Sequence, residues 1–501
     1  MDWTLTRRRI RLPLSSSVLD RRTVIFSSTL FLFLFLPVLI ALYFQAQRRY
    51  RNLILVVASL GFYAWGEPKF LRVVLTSVAL NYFLGLIVGY YNEGWRAKVA
   101  IVSAVTLNIG LLGYYKYSDF AVANLNALLK IACHKQNALN VEHVALPLGI
   151  SFFTFHALSY VLDIYRKHAR AQKNPLLLTL YILFFPQLVA GPIVRYHEIA
   201  DQLTQRYVTS ADFASGIQRF ILGLGKKILI ANVLAEVANT AFGPSTTGIT
   251  TQVAWLSTIA YALQIYFDFS GYSDMAIGLA QMFGFCFPEN FNYPYVAQSL
   301  TEFWRRWHMT LSRWFRDYLY IPLGGNRVAP ARLYTNLILV FFLCGLWHGA
   351  SWNFVIWGLL HGAFLVVERM GFLKALDRMW SPLRHVYCLI VVLVAWVFFR
   401  AETFDGAQQV LRAMAGISHP NGAAISTSIY LNNEQVFALV AGIAASTPLL
   451  PWLALQRDRF NFPASGFVLQ LGRIGALGLV LFTSVIRLSS GTYNPFIYFR
   501  F

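Results

Sequence analysis

The chain is built from apolar runs of roughly 15–25 residues that recur from one end to the other, with short polar loops between them. Helical runs of this length match the ~30 Å hydrocarbon core of a bilayer. A backbone in lipid must satisfy its own N–H and C=O groups, which restricts it to helices or closed barrels. The candidate spans are Val24–Phe44, Leu53–Trp65, Phe70–Tyr91, Val99–Tyr115, Val144–Ile164, Leu176–Ala190, Phe220–Phe242, Thr251–Phe267, Met275–Phe287, Val386–Phe399, Val436–Leu455 and Phe467–Leu488.

With 57% hydrophobic and 13% charged residues, the composition is typical of a polytopic membrane protein. Counting the stretch around His348, the runs predict an all-α integral membrane protein with about 11–13 transmembrane or half-spanning helices. No long hydrophilic block separates them. We therefore expect a single integral domain over residues 23–501, preceded by a basic extension over residues 1–22.

The net charge is +20. The basic residues lie in short loops between the apolar runs, and this favours positive-inside orientation over nucleic-acid binding. By this rule the segments Arg166–Arg170 and Arg305–Arg332 are expected to be cytoplasmic. Arginines lie on both sides of the first run, and the larger number before it favours a cytoplasmic N-terminus. The four cysteines have no paired spacing, so neither a disulfide framework nor a metal site is indicated.

His348 lies midway through the apolar stretch Tyr334–Val367, where an ionisable side chain is costly and is a functional candidate by default. Histidine also suits proton transfer near neutral pH. At ~1.5 Å per residue, Thr335–Leu346 gives about 18 Å of helix and Trp352–Val367 about 24 Å. Neither comfortably spans ~30 Å, so the break between them is predicted inside the membrane, with His348 at the end of a funnel.

The other polar groups in the apolar runs allow two interpretations each. A histidine such as His348, His308 or His361 can be a helix–helix hydrogen-bond partner instead of a catalytic group. Cys344 can in principle form an acyl-enzyme, but a small core residue is the favoured interpretation. The segment Asp268–Asp274 predicts a helix break, with interhelical hydrogen bonds favoured over a proton relay.

An arginine- and tryptophan-rich run, residues 303–320, resembles an interfacial helix with tryptophans on one face and most arginines on another. One interpretation is a topogenic, lipid-anchoring segment. The other is a cationic rim for an anionic, phosphate-bearing substrate, because guanidinium groups bind phosphate in a bidentate manner. The candidate rim residues are Arg305, Arg306, Arg313 and Arg316.

The segment Asn290–Arg327, together with Gly345–Gly349, resembles the membrane-bound O-acyltransferase (MBOAT) family. The similarity is strongest to its bacterial branch of polysaccharide acetylases, typified by alginate O-acetyltransferase, and it covers nearly everything after residue 23. The basic extension is a departure from that pattern and puts the N-terminal orientation in doubt. Further matching segments are Phe26–Ser28, Phe31–Pro37, Leu146–Phe152, Ala190–Ile193, Tyr266–Asp274 and Tyr493–Phe499.

The resemblance implies a funnel-shaped helical bundle in a bacterial inner membrane, with His348 as the catalytic histidine and His308 as a second active-site histidine. It implies acetyl transfer from cytoplasmic acetyl-CoA, with no permanently bound cofactor, towards sugar hydroxyls outside the cytoplasm. Periplasmic acetylation and export proteins and membrane lipids are the expected partners. The transfer can be direct, with His348 as general base, or can pass through an acetyl-histidine. A transporter or flippase without covalent chemistry is the alternative, and a structural scaffold is a third.

Overall fold

The computed structural model describes residues 26–133, 139, 141–242, 249–417, 431–459, 466–490, 496 and 497. Within these residues all regular secondary structure is helical, which confirms the all-α class. The basic extension, residues 1–22, lies outside them. The division into an extension and one integral domain therefore stays a prediction.

The first ten α-helices bring the chain from the N-terminal apolar run to the middle of the sequence. They are α1 (Leu36–Gln45), α2 (Arg48–Gly66), α3 (Leu71–Tyr91), α4 (Trp95–Cys133), α5 (Ile150–Tyr165), α6 (Pro175–Leu183), α7 (Phe185–Leu188), α8 (Tyr196–Ile199), α9 (Ser210–Gly225) and α10 (Asn232–Phe242).

The remaining helices include the stretch that contains both candidate histidines. They are α11 (Thr251–Met282), α12 (Leu300–Arg306), α13 (Met309–Phe315), α14 (Pro330–His348), α15 (Trp352–Val367), α16 (Leu373–Arg378), α17 (Ser381–Arg400), α18 (Phe404–Met414), α19 (Asn433–Ala445), α20 (Leu449–Arg459) and α21 (Gly466–Ser489). Short π-helical turns join several of them, among them Lys226–Ala231 and Arg316–Tyr320.

Six helices in the described part of the chain are long and apolar enough to cross a membrane. Three shorter helices are apolar as well. Some predicted runs are arranged differently. The run 176–190 is divided between the short helices α6 and α7, and the two runs 251–267 and 275–287 belong mainly to the single helix α11. The six spanning helices are Pro68–Tyr91, Trp95–Cys133, Pro330–His348, Trp352–Arg378, Ser381–Arg400 and Val468–Ser489.

Several basic loops meet on one face of the bundle. Lys167 pairs with Glu93 between α3 and α4, and Arg166 donates a hydrogen bond to the backbone oxygen of Asp317, 2.8 Å away. These contacts bring the ends of α3 and α5 and the segment before α14 to one surface, here called the arginine-rich face. By the positive-inside rule, we expect it to be the cytoplasmic face.

The opposite face carries the connection between α14 and α15. The Trp352 ring lies 5.7 Å from the Phe120 ring of α4, and its indole N–H donates to Asn124 at 2.9 Å. Asn353 donates to the backbone oxygen of Ala401, just after α17, at 2.8 Å. The far ends of α4 and α17 therefore lie beside this connection.

Between α11 and α14 the chain enters the bundle from the arginine-rich face and returns to it. α12 begins where the backbone N–H of Leu300 donates to Glu368 at 2.6 Å, near the arginine-rich end of α15. After α13, the Tyr318 hydroxyl donates to Asp163 at the end of α5, also at 2.6 Å. His308 lies between α12 and α13, at the deep turn of this segment.

The predicted helix break between Asp268 and Asp274 is wrong, because both residues lie within α11, one helix of 32 residues. Asp268 forms a buried ion pair with Lys227. Asp274 accepts from Arg219 at 2.9 Å and from Lys226 at 2.6 Å. The favoured role in contacts between helices is therefore confirmed. The carboxylates are satisfied by cations more than 40 residues earlier in the chain, so the helix does not need to open.

Gly271, which contributed to the prediction of a break, serves helix packing instead. A Cβ at this position would lie 2.7 Å from the backbone oxygen of Gly223 in α9. Since this is far closer than real Cβ contacts, only glycine permits the approach of α9 to α11.

Candidate active site at the tip of a helical hairpin

The helices α14 and α15 form an antiparallel hairpin in which the backbones almost touch. A Cβ on Gly345 would lie 2.3 Å from the backbone oxygen of Phe354, and a Cβ on Gly358 would lie 2.3 Å from that of Phe341. Glycine at both positions therefore sets the spacing of the two helices. His348 is the last residue of α14 and lies at the hairpin tip, residues 347–351.

The predicted break in the apolar stretch is present, and α15 has the predicted bounds, but the first arm is longer than expected. α14 begins at Pro330, so its 19 residues extend about 28 Å along the axis at 1.5 Å per residue. α14 is long enough to cross a membrane, so the half-spanning prediction was wrong for the first arm. α15 reaches spanning length only together with the helical residues that follow it to Arg378. The apolar pattern missed the polar first turn of α14, where proline is favoured. The tip lies at the end of two crossings, away from the arginine-rich face.

The His348 ring is enclosed by protein, with 3% of the residue exposed. The rings of Trp347, Trp357 and Phe399 surround it, with centroids 4.8, 4.9 and 5.1 Å away. All three contacts are edge-to-face, the preferred geometry for aromatic pairs. A charge that develops on the imidazole is therefore felt strongly by its neighbours, because no bulk water screens it.

Lys116, a residue that the sequence analysis missed, holds the backbone of the tip. Its buried ammonium group donates to the backbone oxygens of Trp347 and of His348, the latter 3.3 Å away. The hydroxyl of the next residue, Tyr117, donates to the backbone oxygen of Leu346 at 2.6 Å. Helix ends leave such carbonyls unpaired, and a cation there is favourable. A lysine at the end of a predicted membrane run was the available signal.

His308 is buried and has an unusual backbone conformation, with φ of 43°. This left-handed region is uncommon for residues other than glycine and occurs at functional sites. Asn290 stabilises the turn, since its backbone oxygen accepts from the Met309 N–H at 2.9 Å. The Asn290 side-chain oxygen lies 3.0 Å from His308 Nδ1. Asn290 was not identified from the sequence, where it is only one asparagine of a polar turn.

The hydrogen bonds around Asn290 determine which His308 nitrogen carries the proton. The Asn290 oxygen accepts from the Thr310 N–H and hydroxyl, at 3.3 and 2.9 Å, and the Asn290 NH2 donates to Ser273 at 3.0 Å. His308 Nδ1 faces this oxygen and must donate to it. Nε2 of the neutral ring is then an acceptor. It is buried and has no hydrogen-bond partner in the described part of the chain.

Trp347 lies between the two histidines and provides a donor. Its ring centroid lies 6.2 Å from that of His308 and 4.8 Å from that of His348. Its indole N–H is buried and, within the described residues, has no hydrogen-bond partner, a property that the indoles of Trp314 and Trp357 share. The tip thus has an unpaired donor next to both histidines. Unpaired buried groups are costly unless something else binds them.

Aromatic stacking connects the arginine-rich face with the tip. The Phe155 ring is stacked between Trp314 at 4.0 Å and Trp347 at 5.2 Å. Tyr318 lies 5.1 Å from Trp314 and hydrogen-bonds Asp163 as described above. This column fixes the depth of α13 relative to the hairpin, so its packing also holds the Trp347 ring in place.

The four arginines proposed as a rim have separate surroundings. Arg306 pairs with Glu302 at 2.8 Å, and Arg313 donates to the backbone oxygen of Glu289 at 3.0 Å. Arg316 donates to Asp317 at 2.7 Å. Arg305 is exposed and has no acidic partner among the described residues. Local carboxylates and carbonyls thus already engage three of the four.

Asp317 receives two arginines, since Arg195 also pairs with it. Burial raises the pKa of the Asp317 carboxyl. The hydrogen bond from Arg316 and the charges of Arg316 and Arg195 outweigh burial, so the pKa lies below its ordinary value.

A second polar cluster, Asp163, His168 and His197, brings its ligand atoms within 4.8 Å of one another and resembles a metal-ligand set. The Asp163 oxygens are already engaged, one by Tyr318 and the other by the backbone N–H and the ring of His197 at 3.0 and 2.9 Å. The hydrogen bond to Asp163 raises the pKa of His197. We therefore interpret the cluster as a structural anchor for the chain segment between α11 and α14.

The remaining candidates have partners or a packing position. His361 is fully buried, and its Nδ1 accepts from the Trp304 indole at 3.3 Å. Cys344 is buried in α14, in agreement with a small core residue. Neither the hydrogen bond of His361 nor the buried position of Cys344 suggests a chemical role.

The fold and the buried histidine at the tip are those of a multi-pass membrane protein, and comparison with known families identifies its class. The sequence model of the MBOAT, membrane-bound O-acyltransferase family, matches residues 104–403. The chain belongs to this family and is a membrane-bound O-acyltransferase.

Named relatives agree with this assignment. The chain is 42% identical over 505 residues to the probable alginate O-acetylase AlgI of Azotobacter vinelandii, covering 95% of this chain and 100% of the relative. It is 38% identical over 438 residues to the peptidoglycan O-acetyltransferase of Helicobacter pylori, covering 80% and 82%. With the teichoic acid D-alanyltransferase of Bacillus subtilis it shares 30% identity over 268 residues, covering 50% and 66%. A bacterial inner membrane fits these relatives, and they give the transporter alternative no support.

Proposed function

We propose that the chain moves an acetyl group from acetyl-CoA at the cytoplasmic face towards hydroxyl groups of an exported polysaccharide, alginate or a similar one. Alginate and peptidoglycan are the polysaccharides in the names of its relatives. The observation that carries the proposal is the tip, where His348, the acceptor nitrogen of His308 and the unpaired Trp347 N–H lie together. The position of the tip, away from the arginine-rich face, suits transfer across the membrane.

In the proposed reaction, His348 accepts the proton of a sugar hydroxyl while its oxygen attacks the thioester carbon. A C–O bond forms, the C–S bond breaks, and the imidazolium returns the proton to the leaving thiolate or to water. General-base assistance contributes ~10²–10⁴-fold, so positioning must supply the rest of the rate enhancement.

The hydrogen bonds of His308 restrict its role. With Nδ1–H bound to Asn290, Nε2 of the neutral ring accepts and does not donate. The attacking hydroxyl gives its only proton to His348. We therefore assign His308 to orienting the sugar by accepting a hydrogen bond from a neighbouring hydroxyl. The negative charge on the thioester oxygen then needs another donor. We assign this role to the Trp347 N–H, because the Trp347 ring contacts both histidines and its N–H has no hydrogen-bond partner among the described residues. A preorganised donor of this kind contributes roughly 10²–10³-fold.

Two finer points belong to the same proposal. Arg305, Arg306, Arg313 and Arg316 would attract the phosphates of acetyl-CoA by charge. In that case the KM for acetyl-CoA rises with salt, because screening weakens the attraction.

The acetyl group would reach the polysaccharide directly or through periplasmic acetylation and export proteins, with or without an acetyl-histidine. Labelled acetyl trapped on the chain in the absence of acceptor would favour the acetyl-histidine.

The deciding experiment measures CoA release from acetyl-CoA in membranes that contain the chain, its periplasmic partners and the polysaccharide. Wild type is compared with His348→Ala and His308→Ala at matched expression. His361→Gln is the control, because it is equally buried and keeps an acceptor for the Trp304 N–H. We expect a loss of at least roughly 100-fold for His348→Ala and near wild-type activity for the control.

The alternatives predict different results. If the chain is a scaffold, or if His348 only packs against its neighbours, the His348→Ala variant will be as active as wild type. A carrier releases no CoA in any sample, even with partners and acceptor present. Loss of activity in the control as well as in His348→Ala would mean that general disruption of the core, not the loss of a base, explains the result.

A further inference from the structure

A cavity of about 1100 Å³ opens on the arginine-rich face, between the end of α3 and the loop that follows α5. One wall is the last part of α3, including Ile87 and Tyr90, which are exposed on the surface of a spanning helix. The other wall is the basic loop, which contributes Lys167, Arg170 and Lys173. The volume is of the order of small-molecule sites, ~300–1,000 Å³.

The charge of the cavity is positive and only partly compensated. Lys167, one of the lining cations, pairs with Glu93. Arg170 and Lys173 are exposed, and neither has an acidic partner among the described residues. Two cations are therefore free to bind an anion at this wall.

The backbone around the cavity has features of a built site. Two of the four non-glycine residues with positive φ in the described chain, Asn92 at 51° and Lys167 at 62°, line it. Such conformations are unfavourable and occur at functional positions. At the base of the cavity a Cβ on Gly89 would lie 2.5 Å from the Ala171 side chain, so the loop is packed directly against α3. The hydrogen bond from the Tyr82 hydroxyl to the Lys173 backbone oxygen, at 2.8 Å, holds the loop there.

The basic wall and the apolar wall of the cavity together indicate the kind of ligand that binds. A phosphate group suits free guanidinium and ammonium groups. The apolar wall belongs to a helix surface that faces lipid, and tyrosine is favoured at the headgroup level. Basic pockets beside spanning helices on the cytoplasmic side are typical lipid-headgroup sites.

We propose that this cavity binds the phosphate headgroup of an anionic phospholipid, with its acyl chains along Ile87 and the neighbouring surface of α3. The site is separate from the histidines of the hairpin tip. It does not depend on the acyl donor or acceptor, so the proposal stands or falls independently of the proposed reaction. The same phosphate chemistry exists on acetyl-CoA, and the experiment separates the two sources.

The test uses the purified full-length protein in detergent and counts bound lipid by native mass spectrometry. The probes are dioleoylphosphatidylglycerol, dioleoylphosphatidylcholine and desulfo-CoA. The variant Arg170→Gln/Lys173→Gln is compared with Lys98→Gln/Arg378→Gln, which removes equal charge from exposed residues that do not line the cavity. We expect wild type and the control to prefer phosphatidylglycerol, and the cavity variant to bind it about tenfold more weakly.

Equal phosphatidylglycerol binding by the two double variants would overturn the proposal. So would equal binding of both lipids by wild type, because the charge of the headgroup would then be irrelevant. Weaker desulfo-CoA binding by the cavity variant with unchanged lipid binding would assign the cavity to the donor and also overturn it. Thermal denaturation of each variant verifies that the fold is intact.

Discussion

The hairpin tip and the arginine rim (Arg305, Arg306, Arg313 and Arg316) are both polar regions of an apolar protein, but they are organised in opposite ways. At the tip, Lys116 and Tyr117 hold the backbone carbonyls, and the Trp347 N–H and His308 Nε2 are buried without a hydrogen-bond partner among the described residues. At the rim, three of the four arginines are engaged by local partners such as Glu302 and Asp317. The fourth, Arg305, is exposed.

Because of this difference, single substitutions at the tip and at the rim should have effects of different size. Interactions at the tip are unscreened by water, so the loss of one donor or cation changes the reacting geometry. Rim interactions are partly exposed and screened by salt, so individual pairs contribute little. Large effects on kcat are expected at the tip, and small effects on stability or KM at the rim.

The largest effect in this comparison is expected from Trp347→Phe. Phenylalanine keeps an aromatic ring against Phe155 but removes the indole N–H, so kcat should fall by roughly 100-fold with little change in KM. Trp304→Phe is the matched control, because the Trp304 N–H donates to His361 within the core. Steady-state kinetics in membranes measures both. A Trp347→Phe enzyme with wild-type kcat would remove Trp347 from the reaction.

A smaller effect is expected from Lys116→Met. Methionine retains most of the apolar stem but not the hydrogen bonds to the carbonyls of Trp347 and His348, so the tip loosens and kcat falls by roughly tenfold. Stability should not fall in parallel, because the change also removes a buried charge. Ser151→Ala, which removes only the 3.4 Å contact to Lys116, is the control. Parallel losses of melting temperature and kcat would indicate a merely structural role for Lys116.

The smallest effect is expected at the rim, from Asp317→Asn. Since the folded-state pKa of Asp317 is lowered, its stabilisation is present above the ordinary pKa of 3.8 and is lost as pH falls through the folded value. At pH 7 the free energy of unfolding of the wild type should therefore exceed that of the variant by less than about 1 kcal/mol. Its melting temperature should be slightly higher. The two should converge at acidic pH. Exposed Asp377→Asn is the control, and a difference that grows on acidification would contradict the sign.

Much of the fold was predictable from composition, because lipid leaves a chain of apolar runs few solutions besides helices. The errors are at helix ends and interruptions. Asp268 and Asp274 suggested a break because local sequence does not reveal Lys227 and Arg219, which neutralise them from a neighbouring helix. The polar first turn of α14 was excluded from the predicted helix because the apolar pattern does not extend over it.

The candidate site was predictable in part. His348 was identifiable because an ionisable side chain in an apolar run needs a reason, and His308 because a family resemblance marked it. Lys116 satisfied the same physical criterion at the end of another run and was missed. Asn290 and Trp347 carry no local signal, because an asparagine in a turn and a tryptophan in a helix are ordinary until their neighbours are known.

The sequence alone indicates the helical class, the membrane environment and the presence of a histidine at a break between two helices. These properties follow from local hydrophobicity and from the cost of burying polar groups. Tertiary structure alone decided which atoms meet at that histidine. Contacts between residues far apart in the chain decide which nitrogen of His308 is an acceptor, which lysine holds the carbonyls of the tip and which arginines are already paired.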